Sequence, residues 1–235
     1  MAIPELATVT TNGIRLRVRI AGDGPLVVLL HGFPQCWYLW RHQVAPLVAA
    51  GYRVAVPDQR GYGASDAPPD IADYGIRTLA ADVVGLAEAL DSPRFKLIGH
   101  DWGCIVAWNT ALLHPDRVSA VMGLSVPGWR FGPETVDPPG RPDAFWYIRY
   151  FQQPGVAEAE LERDLERSLY TIYHGVSADA PPGTFLHQLG HPRGCGLLEA
   201  MPAPPATLPS WLTREDLDYY VQEYRASGFR GPINW

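Results

Sequence analysis

Cysteine is scarce. Cys36, Cys104 and Cys195 are the only three in 235 residues, and no two form a C-x-x-C pair. So odd and sparse a set excludes a disulfide scaffold and fits reduced thiols in the cytoplasm. Long apolar runs are missing too: none approaches the roughly 20 residues of a membrane-spanning helix. The opening MAIPELATVT has no basic region and no apolar stretch, so no signal peptide is expected. Charge of one sign never accumulates. The net charge is −6 with no long basic or acidic run, which excludes nucleic acid as a natural partner. Metal-ligand spacing is also absent. His187 and His191 lie four apart, but HQLGHPRG is rich in glycine and proline and would not hold both on one helical face, so they read as two loop histidines and no metal is expected.

What is present is an ordinary globular composition, 47% apolar and 19% charged, and a regular alternation of strand and helix signals over the first half. LATVTT and IRLRVRI flank Asn12-Gly13, a hairpin turn signal. LVVLL at 26–30 is uniformly apolar, as in a strand covered on both faces, and 52–58 and 95–100 look alike. Residues 76–90 place Leu79, Val83, Leu86 and Leu90 on one helical face. Residues 104–115 read as a helix stopped by Pro115, and 118–126 as another strand. This pattern implies an open, mostly parallel sheet with helices on both sides. After Pro127 a Pro/Gly linker leads to expected helices at 144–152, 156–174 and 213–227, the last with Thr213 as N-cap. Residues 175–210 read as a long loop.

GHDWG, residues 99–103, has the small-x-acid-x-small shape of a nucleophile elbow, with Asp101 where serine is usual. Gly99 and Gly103 leave room for a tight strand-to-helix turn, which raises the central side chain at the carboxyl end of the sheet. The N-terminus of the following helix favours an ionised Asp101. A carboxylate there suits attack at carbon to give an ester, whereas serine would attack a carbonyl. HGFP at 31–34 follows the LVVLL strand directly. Its loop can aim the backbone N–H of Phe33 at the same point as that of Trp102, which together make an oxyanion hole.

In that order, HGFP, RGYGASDAP (60–68) and GHDWG resemble the α/β-hydrolase epoxide hydrolases. FWYIRYFQQPGVAEAELERD (145–164) and SGFRGPINW (227–235) are similar to the lid of the soluble epoxide hydrolases. Each motif alone could serve only a tight turn; five in order over nearly the whole chain are specific. The resemblance implies an α/β fold: an α/β-hydrolase core over 1–126, its mostly parallel sheet incomplete at the C-terminal side, and a helical lid over 127–235. It implies a small apolar epoxide and water as reaction partners, with no cofactor. Tyr147 matches the first of two lid tyrosines that donate to the epoxide oxygen. A phenol with a pKa near 10 is protonated at neutral pH and can do so, although position alone would make Tyr147 only an amphipathic anchor. His31, Pro34, Trp37, Phe145 and Trp146 are the candidate substrate-binding residues. Trp37, with Tyr38 and Trp40, either lines a cleft floor or packs the core, and one of Phe145 and Trp146 is expected to pack rather than touch substrate.

The family's second tyrosine follows GFRGPINW directly, and its Asp and His partners come later still. The resemblance therefore places all three beyond Trp235 and implies a truncated member. Such a chain is expected to form the ester and stall, to tether its lid at one end only, and to expose the apolar edge of strand 118–126. A haloalkane dehalogenase shares the fold and the Asp nucleophile, with Trp102 then donating to a leaving halide. The reading from another class is a non-catalytic fragment that binds an apolar ligand. An esterase is disfavoured because no serine occupies the elbow.

Overall fold

In the computed structural model, which describes residues 6–128, 141–183 and 188–235, the LVVLL run is strand β3 (Leu26–Leu30), and every one of its side chains is buried. A strand without a polar face needs neighbours on both edges and cover on both faces. β3 lies between β4 (Arg53–Pro57) and β5 (Phe95–His100), parallel to both. β6 (Val118–Leu124) adds parallel to β5. On the other side, β1 (Ala7–Thr11) and β2 (Ile14–Ala21) form an antiparallel hairpin, and β2 pairs antiparallel with β4. The hairpin turn works because Asn12 and Gly13 both take positive φ, 44° and 76°, the hand that matches strand twist. The six-stranded order is β1-β2-β4-β3-β5-β6.

Helix α1 (Val44–Ala49) precedes β4, α2 (Ile76–Ala89) precedes β5, and α3 (Trp102–Leu113) follows it. Leu79, Val83, Leu86 and Leu90 pack with Val106 and Ala107 on Leu16, Val28, Leu30 and Leu97. Each such side chain contributes about 1.5–3 kcal/mol when fully buried. α3 ends at Leu113, one residue ahead of the last position Pro115 would allow. His114 has left the helical region (φ −133°, ψ 59°), which the following proline disfavours. β6 is the sheet edge among the described residues, and Met122 on it is 52% exposed.

The chain divides into two compact units, residues 1–129 with 234–235, and residues 130–233. The expected linker falls largely on 129–140, outside the described residues, as does His187. In the second unit the helices are shorter than the apolar pattern implies. The expected 144–152 helix is only α4 (Tyr147–Phe151), because Trp146 is extended and Ala144 bridges to Pro192. The expected 156–174 helix is two, α5 (Val156–Leu161) and α6 (Leu165–Gly175). Asp164 breaks it by capping: its carboxylate accepts from the N–H of Arg167 and starts α6 afresh. The last long helix, Arg214–Ser227, begins as expected at Thr213, whose hydroxyl accepts from Asp216 N–H in a capping box. Within 175–210 the described residues include a short 3₁₀ turn, Gln188–Gly190.

Asn234–Trp235 cluster with the first unit, where the Trp235 indole donates to the Arg60 carbonyl at 3.0 Å. Arg60 is itself fixed by a buried ion pair. Its Nε and Nη2 reach Asp82 at 2.7 Å each, with side chains 4% and 5% exposed, and Asn12 adds a bond to the same carboxylate at 2.7 Å. Removing one partner leaves a buried charge unmatched. Asp82→Ala is therefore expected to cost about 3–5 kcal/mol of unfolding free energy, read from urea midpoints at constant m-value.

Candidate active site

The polar groups gather where parallel strands end. Residues 31–34 follow β3, residues 58–62 follow β4 and Asp101 follows β5, the edge at which open α/β sheets place their sites. Asp101 takes φ 54°, ψ −125°, a conformation that costs a non-glycine residue on the order of 1–3 kcal/mol. The turn is held from both sides. Asp101 N–H points to Leu124 O (3.2 Å) and Ser125 Oγ (3.3 Å), and Cys104 N–H donates to Asp101 O at 2.9 Å. The glycines permit it: a Cβ on Gly99 would lie 2.4 Å from Gly103 O, and one on Gly103 2.3 Å from Leu30 O.

The Asp101 carboxylate is met by the 31–34 loop. Phe33 N–H donates to Oδ1 at 2.9 Å, and the approach is so close that a Cβ on Gly32 would lie 2.3 Å from the same oxygen. Burial pushes the carboxyl pKa up. The N–H groups of Trp102 and Phe33, and then His100, pull against that shift by favouring the ionised form.

His31 clamps the loop. Its Nδ1 is 3.0 Å from Gly32 O and its Nε2 accepts from Gln59 N–H at 3.1 Å, while the Gln59 side chain donates to His31 O at 2.5 Å. With one nitrogen facing a carbonyl and the other an N–H, the ring is neutral. Burial takes its pKa down to about 4 against the opposing bond to Gly32. Tyr62 packs edge-on against this ring with centroids 4.6 Å apart. His100 Nδ1 lies 3.1 Å from Gln35 Oε1, and burial lowers its pKa although Asp101 opposes.

The other sequence-picked residues are distributed as follows. Pro34 is buried, after a cis peptide bond from Phe33. Trp37 is 2% exposed and its backbone N–H donates to Asp58 at 2.8 Å, so its ring packs in the interior. In the second unit, Tyr147 and Trp146 are half-buried with ring centroids 5.4 Å apart, and Tyr147 N–H donates to Gln188 Oε1 at 3.2 Å. Phe145 is 1% exposed and packs on Tyr150. Gln59, Tyr62 and Gln35 escaped the sequence reading. Gln59 carried a usable signal, a polar residue just past the carboxyl end of an apolar strand; Tyr62 and Gln35 carried none beyond membership of a motif. Among the described residues no group of three or more His, Cys, Asp or Glu could hold a metal ion, and no helix is long and apolar enough to cross a membrane.

A parallel sheet with a carboxylate elbow facing two backbone N–H groups defines an α/β hydrolase, and the alpha/beta hydrolase fold family is matched over residues 25–174. Epoxide hydrolase A of Mycobacterium tuberculosis is 43% identical over 243 aligned residues, covering 100% of this chain and 74% of that protein. Bifunctional epoxide hydrolase 2 of Sus scrofa is 41% identical, and the chain spans 95% of its own length but 40% of that protein's. The crystal structure of epoxide hydrolase A from Mycobacterium thermoresistibile superposes with a TM-score of 0.90 at 46% identity, over 99% of this chain and 74% of that one. The chain belongs to the epoxide hydrolases of the α/β-hydrolase fold.

Two outcomes follow from this geometry. Gly32→Ala should displace Asp101 or the loop, with a loss of about 100-fold in reactivity of the carboxylate toward an alkylating probe. The His31 ring binds its proton near pH 4 when folded and near 6.5 when unfolded. Stability is then fully present above about pH 6.5 and falls as pH drops toward 4, by about 3 kcal/mol in all. Urea titrations across that range should show the slope in the parent, and His31→Gln should lack it.

Proposed function

We propose that the chain opens a small apolar epoxide through an ester on Asp101, the ester then being hydrolysed by water to a vicinal diol. The observation that carries this reading is the Phe33 N–H bond to Asp101 Oδ1 at 2.9 Å on a strained elbow. In this reading the bond anchors Oδ1, and Oδ2 is the attacking oxygen. Oδ2 bonds to a ring carbon and the ring C–O bond breaks, the ring oxygen taking a proton from the Tyr147 phenol. In the second half, water adds to the ester carbonyl carbon. The negative charge develops on Oδ1, where the N–H groups of Phe33 and Trp102 act as the oxyanion hole. The alkoxide leaves with one of water's two protons, and the other, left on the new Asp101 carboxyl, passes to the Tyr147 phenolate, so that the carboxylate and the phenol are both restored. In this reading residues 127–235 serve as a lid, Trp146 and Pro34 are among the substrate contacts, and His31 supports the 31–34 loop. No cofactor is needed, and the cytoplasm is the setting its reduced cysteines fit.

Hydrolysis needs a base that takes a proton from water. His31 is unsuited, since both ring nitrogens are spent on the main chain. In this reading the 235 residues by themselves take up one epoxide and hold it.

Intact-mass measurement after incubation with styrene oxide should show a single adduct, absent in Asp101→Asn, with no accumulation of diol; sustained diol formation would refute the stall. Tyr147→Phe should slow adduct formation by about 100-fold or more. If Tyr147→Phe reacts with styrene oxide as fast as the parent while both take up a bromoalkane, the dehalogenase reading replaces this one. Reversible binding without any adduct would leave a ligand-binding role.

A further inference from the structure

Trp235 follows the second unit in the chain but belongs to the first. Its Nε1 donates to Arg60 O at 3.0 Å, and its ring meets Tyr62 edge-on with centroids 5.2 Å apart at 88°. Tyr62 is 1% exposed and in turn meets His31 at 4.6 Å and 75°. Among the described residues the hydroxyl of Tyr62 has no hydrogen-bond partner, so none of them holds this side chain by a polar contact. Its main chain is fixed, N–H to Gln59 O at 2.9 Å and O from Ser65 N–H at 3.1 Å, but the ring is kept in place by what packs on it, Trp235 and His31 among its neighbours. Beyond His31 the connection is polar and continuous: the His31 ring to Gly32 O at 3.0 Å, then Phe33 N–H to Asp101 Oδ1 at 2.9 Å. Close-packed interiors transmit displacement rather than absorb it, so a gap at one end of such a row is felt at the other.

We propose that Trp235 is a positioning residue for the chemistry at Asp101: by propping the Tyr62 ring against His31 it keeps the Phe33 N–H on the carboxylate. The reactivity part of this inference rests on the reading of Asp101 as nucleophile; the link from Trp235 to His31 does not. No charge or bond is exchanged along the row, which acts by limiting where the His31 ring and the Gly32 carbonyl can sit.

The test uses the 235-residue chain and two readouts: the rate at which styrene oxide adds to Asp101 by intact mass, and the titration of the His31 imidazole by nitrogen NMR. Trp235→Ala should slow adduct formation about 10-fold and move the His31 midpoint from about 4 toward 6.5. Trp235→Phe, which keeps an aromatic edge, should recover most of both. Trp211→Ala, which removes an exposed tryptophan of the second unit, should match the parent. A purely structural Trp235 would lower the melting temperature and leave both readouts of the folded protein where they were; that result overturns the proposal. Should Trp235→Ala fail to fold, Trp235→Leu fills the space without a ring edge. A shifted His31 midpoint there supports the row and an unshifted one overturns it. If the parent gains no adduct, or Asp101→Asn keeps it, the nucleophile reading fails instead, and the His31 titration alone decides the role of Trp235.

Discussion

The hydrogen bond from Phe33 N–H to Asp101 Oδ1 at 2.9 Å is the contact around which the rest of the first unit is arranged. It needs two chain segments that lie 68 residues apart to meet within a fraction of an ångström. β3 and β5 are adjacent and parallel, so their carboxyl ends deliver the 31–34 loop and the elbow to the same place. Glycine at 32, 99 and 103 lets the backbones approach closer than any Cβ would permit. A wider side chain at any of the three would push apart the backbone segments that meet there.

Two opposing forces act on that carboxylate, and their balance defines what it can do. Burial raises its pKa, which favours the neutral form, while two main-chain N–H groups favour the charged one. The donors are peptide groups held by strand and helix, so they need no reorganisation when charge develops nearby. Their precision is borrowed from the His31 clamp. His31 works only as a neutral ring, since a proton on Nε2 would set it against the Gln59 N–H that it now accepts. A histidine in the loop that meets Asp101 invites assignment as a base, but here both of its ring nitrogens are engaged by the main chain.

The strained φ of Asp101 illustrates how local preference yields to packing. An aspartate in the left-handed region is disfavoured on its own, yet bonds on both sides of the residue and the α3 helix beyond it leave no relaxed alternative. Likewise Arg60 and Asp82 would each be costly to bury alone. As a bidentate pair joined by Asn12 they tie the hairpin, α2 and the 58–62 loop into one frame beneath the site.

Much of this was readable from residue order. The hairpin at Asn12-Gly13, the covered strand LVVLL, the elbow at GHDWG and the Thr213 cap all rest on interactions within a few residues, so local sequence determines them. The joining of Phe33 to Asp101 was legible because both motifs end parallel strands, and a parallel sheet leaves little choice of where those ends go. Helix lengths in the second unit were not legible, because Asp164 could equally have been an exposed helical residue until its carboxylate was seen to cap Arg167. The packing of Tyr62, and the return of Trp235 to Arg60, 175 residues away, were invisible for a different reason. Nothing local says on which distant side chain a ring will pack. Sequence alone determined the strands, the elbow and the loop that meets it; only the tertiary structure decided which side chains hold them in place, because that depends on contacts between segments far apart in the chain.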